Sequence, residues 1–188
     1  MDKEIRKRYE KLLSKLISND RLYHSQCVAE EAVRLAKQYG ADLEKAELAG
    51  LLHDILKTSK EAQKEILLKM NPLPTTLELL TPKLWHAMAG SEYLRTQLEI
   101  TDEDVINAVR YHTTARGGMS LLEKIIYLAD FTSADRSYSG VKQMREAVDS
   151  SLRKGLEIAL KFTIEELLEA NLPIHPDTIN AYNELFLF

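Results

Sequence analysis

The sequence predicts an all-α fold, a single helical bundle. Apolar residues recur at three- and four-residue spacing along nearly the whole chain, the mark of amphipathic helices. No stretch alternates apolar with polar residues as a half-buried strand would. Capping residues, glycines and prolines cut the pattern into helix-sized segments joined by short linkers. With 188 residues, 45% of them hydrophobic and 29% charged, there is enough apolar material for one core without disulfides or a structural metal, so residues 1–188 read as one domain.

The elements follow in order. Residues 3–18 make a first amphipathic helix, ended by the Ser18-Asn19-Asp20 punctuation. Residues 21–39 make a second, stopped by Gly40. Asp42 caps a third that runs to about Lys57. A shorter helix covers 59–70 and is closed by Asn71-Pro72-Leu73-Pro74. Residues 82–98 follow, with Pro82 suited to a first turn. Thr101 opens the sequence TDED, a capping-box-like start with acidic residues at the positive helix end, and that helix ends near His112. After Arg116-Gly117-Gly118, Ser120 starts the most apolar helix, LLEKIIYLADF. Residues 139–148, 151–170 and 176–187 complete the bundle.

Charge and cysteine content narrow the function classes. A net charge of −4 argues against a general nucleic-acid binder, which needs a basic face, but leaves a small phosphorylated substrate open. The tract KEIRKRYEKLLSK reads as a solvated helix face. Cys27 is the only cysteine and has no internal partner, which fits a reducing compartment. The N-terminus lacks the apolar stretch of a signal peptide, and no run approaches the roughly 18 apolar residues of a membrane span. The expectation is a cytoplasmic protein with no membrane contact.

The informative residues are polar ones inside apolar stripes, since residues three, four or seven apart share a helix face. His24 lies in line with Val28, Ala32 and Leu35; His53 with Ala46, Ala49 and Gly50. His86 lies with Ala89, Gly90 and Tyr93; His112 with Val105, Ala108 and Val109; Asp130 with Leu122 and Ile126. A single histidine on such a face is more often a satisfied core residue than a ligand. Asp130 and Asp54 are harder to place, because a buried carboxylate is costly without a cation or several donors. An ion pair or a cap would serve each one separately. Convergence of several on one metal explains them together. Imidazole and carboxylate without sulfur suit iron, manganese, cobalt or zinc, and two of each leave open positions on a six-coordinate ion, as catalysis needs.

A histidine on one helix, an adjacent His-Asp pair on a second and a distant Asp on a later helix resemble the HD-domain metal phosphohydrolase superfamily. The longer segments RLYHSQCVAEEAVRLAKQYG, LAGLLHDILK, AVRYHTTARGGMSLLEKIIYLADF and IHPDTINAYNELF are similar to the YqeK-type family of bacterial HD proteins, from about residue 20 to the C-terminus. The resemblance implies a helical HD domain that hydrolyses bis(5′-nucleosyl) tetraphosphates, chiefly diadenosine tetraphosphate, symmetrically to two nucleoside diphosphates by metal-activated water. It implies metal ligation by His24, His53, Asp54 and Asp130, with iron expected first and manganese, cobalt or zinc as alternatives, as one or two ions. His86 and His112 match the additional histidines that extend such sites, either at a second metal or at the phosphates. The segment TSADRSYSG keeps Arg136 but is polar where the family usually has an acidic or proline-containing stretch.

The expected roles follow from that assignment. Asp54 ligates and orients the attacking water; His86 or His112 donates a proton to the leaving diphosphate. Arg21, Lys57, Arg116 and Arg136, each within a turn or a short loop of a ligand or one of the added histidines, are candidates for the phosphates, with a plain surface charge as the alternative for each. Thr113 and Thr114 offer hydroxyls or amides. Ile174, His175 and Thr178 border the base or ribose, unless His175 only caps the last helix. Two rival readings remain: an HD nucleotidase or phosphodiesterase acting on another nucleotide, and a non-enzymatic helical interaction module presenting aromatics such as Trp85, Tyr93, Tyr138 and Phe188. The apolar ELFLF end leaves a homodimer open.

Overall fold

Ser18, Asp42, Asp102 and Ser120 each turn a side-chain oxygen onto the first backbone N–H groups of a helix, satisfying donors that the helix itself cannot. A computed structural model describes residues 1–187, and Phe188 lies outside the described residues. Among them the regular structure is helical: α1 (Lys3–Leu16), α2 (Asn19–Tyr39), α3 (Leu43–Leu52), α4 (Lys60–Leu67), α5 (Thr76–Leu79), α6 (Trp85–Thr96), α7 (Glu103–Tyr111), α8 (Leu121–Thr132), α9 (Val141–Ser150), α10 (Leu152–Glu169) and α11 (Pro176–Leu187). The all-α expectation holds.

Most boundaries shift by a few residues, and three differences from the sequence reading bear on the site or the connections. The third helix stops at Leu52, and His53 and Asp54 lie in the turn that follows, where Ile55 N–H bonds to Leu52 O and Lys57 N–H to Asp54 O. The run LLHDIL stays buried throughout, so its hydrophobic pattern gives no sign of the unwinding. Pro82 precedes its helix, which starts at Trp85. The short α5 was not expected; a capping box between Thr75 and Glu78 makes it, and four residues are too few to show periodicity.

One connected apolar core joins residues from Leu13 to Ala181, with Leu35, Leu51, Ile55, Met88, Ile125 and Leu128 fully buried. In the middle, α2 packs on α3 and α8, while α7 packs on α3, α6 and α8. Gly50 permits a close approach: a Cβ there would lie 2.8 Å from Ala29 Cα, so α3 presses on α2 backbone to backbone. Gln63 Nε2 donates to Leu56 O at 2.7 Å and Thr58 O at 3.3 Å, fixing the chain just after the His53-Asp54 turn.

Candidate active site

The helix ends and faces just described bring five of the predicted polar residues together. His24 comes from the body of α2, His53 and Asp54 from the turn after α3, His112 from the end of α7 and Asp130 from α8. His86, on the first turn of α6, closes the group. Ring centroids of His24 and His53 are 5.2 Å apart, those of His53 and His112 5.0 Å, and those of His86 and His112 5.1 Å.

Tautomers are set by what each Nδ1 meets. His53 Nδ1 donates to Gly50 O and His112 Nδ1 to Val109 O, each at 2.7 Å. A carbonyl only accepts, so both imidazoles carry their hydrogen on Nδ1 and turn the Nε2 lone pair inward when neutral. His24 Nδ1 lies 2.7 Å from Asp135 Oδ2, and its Nε2 lies 3.0 Å from Asp130 Oδ1 without the alignment of a hydrogen bond.

The cluster is rich in acceptors and short of donors. His24 Nε2, His53 Nε2 and Asp54 Oδ1 are buried and have no hydrogen-bond partner. Burial pushes the His53 imidazole down to about 4, keeping it neutral. Burial likewise takes His86 well below its ordinary value, with His112 adding to the effect. Against the burial that would raise it, the His53 imidazole, His112 and the Lys57 ammonium hold Asp54 well below the carboxylate range. Asp130 is also held low, its burial outweighed by His24, His53 and Arg136. Its side chain keeps 21% exposure, so this edge of the cluster is reachable from outside.

Unpaired inward-facing acceptors of this kind suit a bound cation. Ligand atoms of His24, His53 and Asp130 lie within 4.8 Å of one another, as do those of His53, Asp54 and His112. The four expected ligands thus fall into two overlapping groups that share His53. The donor set, nitrogen and oxygen without sulfur, fits a divalent transition metal.

Cationic side chains border the cluster. Arg21 Nη1 is 3.3 Å from Asp54 Oδ2, Lys57 Nζ is 3.6 Å from Asp54 Oδ1, and Arg136 pairs with Asp130 through both its side chain and its carbonyl. Lys57 Nζ also lies 3.0 Å from His86 Nε2. From His86 and Lys57 a cavity of about 1170 Å³ extends outward. Lys60 and Lys83 add charge to it, and Thr113 and Thr114 line it with hydroxyls that have no partner. Leu167, Leu172 and Pro173 give it an apolar stretch.

The remaining expected residues divide. His175 and Thr178 line this cavity, while Ile174 does not. His175 Nδ1 accepts from Asp177 N–H at 3.2 Å, so it also caps α11, and Thr178 Oγ1 donates to Thr114 O at 2.8 Å. Arg116, expected at the phosphates, is instead clasped by buried Glu123 at 2.6 and 2.7 Å, stacks over Tyr111 and lines a separate pocket. Glu123 also closes a capping box with Ser120 at the start of α8. Asp135 was missed. It sits in a polar loop and finds His24 across 111 residues, a pairing that no local pattern announces.

The HD domain family model matches residues 21–135, which span His24, the His53-Asp54 pair, Asp130 and Asp135. The chain belongs to the HD domain family. Two relatives within that family are similar over almost their full lengths. The symmetrical bis(5′-nucleosyl)-tetraphosphatase of Halalkalibacterium halodurans is 40% identical, with 91% of each chain covered. That of Bacillus subtilis is 38% identical, covering 90% of this chain and 91% of the relative. The crystal structure of a predicted HD superfamily hydrolase involved in NAD metabolism from Clostridium acetobutylicum superposes with a TM-score of 0.93 at 37% identity, over 96% of both chains. Across this HD domain, among the described residues, no helix is long and apolar enough to cross a membrane.

Proposed function

We propose that this HD protein hydrolyses diadenosine tetraphosphate and related dinucleoside polyphosphates symmetrically, releasing two nucleoside diphosphates. One observation carries the reading. The unpartnered acceptors of His53 and Asp54 are buried beside a cavity large enough for a nucleotide, with Lys57 at its junction with the cluster and Lys60 and Lys83 in its lining. The two tetraphosphatase relatives, similar along nearly the whole chain, support the same substrate.

His24, His53, Asp54 and Asp130 would hold one or two divalent ions, with iron first and manganese, cobalt or zinc as alternatives. Bound there, the metal supplies Lewis acidity toward a phosphate oxygen and toward the attacking water. Lys57, Lys60 and Lys83 draw the polyphosphate into the cavity, and Arg21 and Arg136 offer charge beyond it. Thr113 and Thr114 give hydroxyl donors to phosphate oxygens. Asp54 would ligate the ion and orient the attacking water. The Nε2 lone pair of neutral His112, 3.2 Å from His86 Nε2, can take up the proton released by the water and pass it to the departing diphosphate. The Lys57 ammonium already sits at His86 Nε2, which favours a phosphate role for that histidine over a second metal. Leu167, Leu172 and Pro173 pack a nucleoside, with His175 and Thr178 beside it.

Product analysis tests the assignment. Protein loaded anaerobically with Fe²⁺, or with Mn²⁺, Co²⁺ or Zn²⁺, is given diadenosine tetraphosphate, mononucleotides, deoxynucleoside triphosphates and cyclic nucleotides. ADP as sole product of the first is expected. AMP plus ATP, or turnover confined to another nucleotide, would overturn the reading.

A further inference from the structure

We infer that Asp135 is a positioning residue for the metal centre, fixing His24 as a ligand by accepting its Nδ1 hydrogen. The inference rests on the metal-centre reading above but not on the choice of nucleotide.

The three inward-facing histidines with identified Nδ1 partners solve one problem in two ways. His53 and His112 stand just past the ends of α3 and α7, where backbone carbonyls have no helical partner. Each takes the carbonyl three residues back, Gly50 O or Val109 O. His24 sits within α2, where the carbonyls are engaged in the helix. Its Nδ1 needs an acceptor from elsewhere, and Asp135 supplies it at 2.7 Å. An ionised carboxylate only accepts, so Nδ1 keeps its hydrogen and Nε2 is left to ligate.

The partner is itself held. Ser133 Oγ donates to Asp135 Oδ1 at 2.7 Å, and Ser133 is fully buried at the end of α8. Arg145 clamps the same loop, donating to Thr132 O at 2.9 Å, Ser133 O at 2.7 Å and Arg136 O at 3.1 Å. The last turn of α8 and the loop after it therefore present Asp130 to one nitrogen of His24 and Asp135 to the other. Asp135 differs from the two carbonyls in bringing a negative charge, which makes the imidazole a stronger donor to a metal.

The test is metal affinity by competition with a chelator of known strength. Full-length wild type, Asp135→Asn, Asp135→Ala, Asp135→Glu and Ser133→Ala are loaded with Mn²⁺ or anaerobic Fe²⁺. Bound metal per chain is measured, with circular dichroism and melting of the metal-free proteins alongside. Asn can still accept from Nδ1 but lacks the charge, so affinity falls about 10-fold; Ala removes both and falls about 10- to 100-fold. Glu restores part of the loss. Metal-free melting stays close to wild type for Asn, which separates positioning from a purely structural role. If Ala fails to fold, the near-isosteric Asn variant decides. Wild-type affinity in folded Asn and Ala variants overturns the inference. A wild type that takes up no metal overturns the metal-centre reading itself.

Discussion

The Lys57 ammonium stands 3.0 Å from Nε2 of His86, at the point where the buried cluster opens into the large cavity. A cation placed there meets the polyphosphate before the reacting phosphorus does. Lys57→Ala is expected to lower kcat/KM for diadenosine tetraphosphate about 10- to 100-fold, mostly through KM, the range of one lost charge-assisted contact. Steady-state kinetics decide it. An unchanged KM would remove Lys57 from the phosphate path.

Asp130 is expected to matter through the ion and not through the fold. Asp130→Asn should lose bound metal and reduce turnover on the order of 1000-fold, several kcal/mol of lost stabilisation. Its helical circular dichroism should persist. Chelator should lower the melting temperature of wild type but leave the variant unmoved, because only a folded chain that binds metal gains stability from it. Full activity in the metal-depleted variant would refute the assignment.

Glu78 gives a pH dependence remote from the ligands. Its burial would raise its pKa, but the Thr75 N–H and hydroxyl and the Arg110 guanidinium together hold it below the ordinary 4.5. A carboxylate depressed in the folded state stabilises above its unfolded pKa and loses that contribution as pH falls through the folded value. Glu78→Gln should therefore be less stable than wild type at pH 7, and the gap should narrow steadily below about pH 4.5. Urea melts across that range measure it. A gap independent of pH would mean that the charge of Glu78 contributes nothing.

Arg116 separates stability from catalysis. Removing it leaves Glu123, whose side chain is only 2% exposed, without its bidentate partner. Arg116→Ala should cost about 1–3 kcal/mol, a melting shift of roughly 2–10 °C for a chain of this size, with KM unchanged. A raised KM in a chain of wild-type stability would return Arg116 to the substrate.

The stripes made most of the site legible. His24, His112 and Asp130 follow helical faces that the apolar neighbours define, and the structure brings them together. His53 and Asp54 were read on a helix and lie in a turn, because burial of the whole LLHDIL run hides where the helix ends. Asp135 and Arg116 were read less well for one reason. Their partners, His24 and Glu123, are chosen by tertiary packing, and a charged residue in a polar loop looks the same whether it faces water or a buried ring.

Gly50 joins two requirements in a single position. Its missing side chain lets α3 lie against the backbone of Ala29, and its carbonyl fixes the ring of His53. Helix spacing and ligand orientation therefore cannot be adjusted separately. A transplanted His-Asp turn would have to travel with the α2–α3 crossing as one module. Grafted alone onto a wider-spaced helix pair, it would keep its letters and lose its aim.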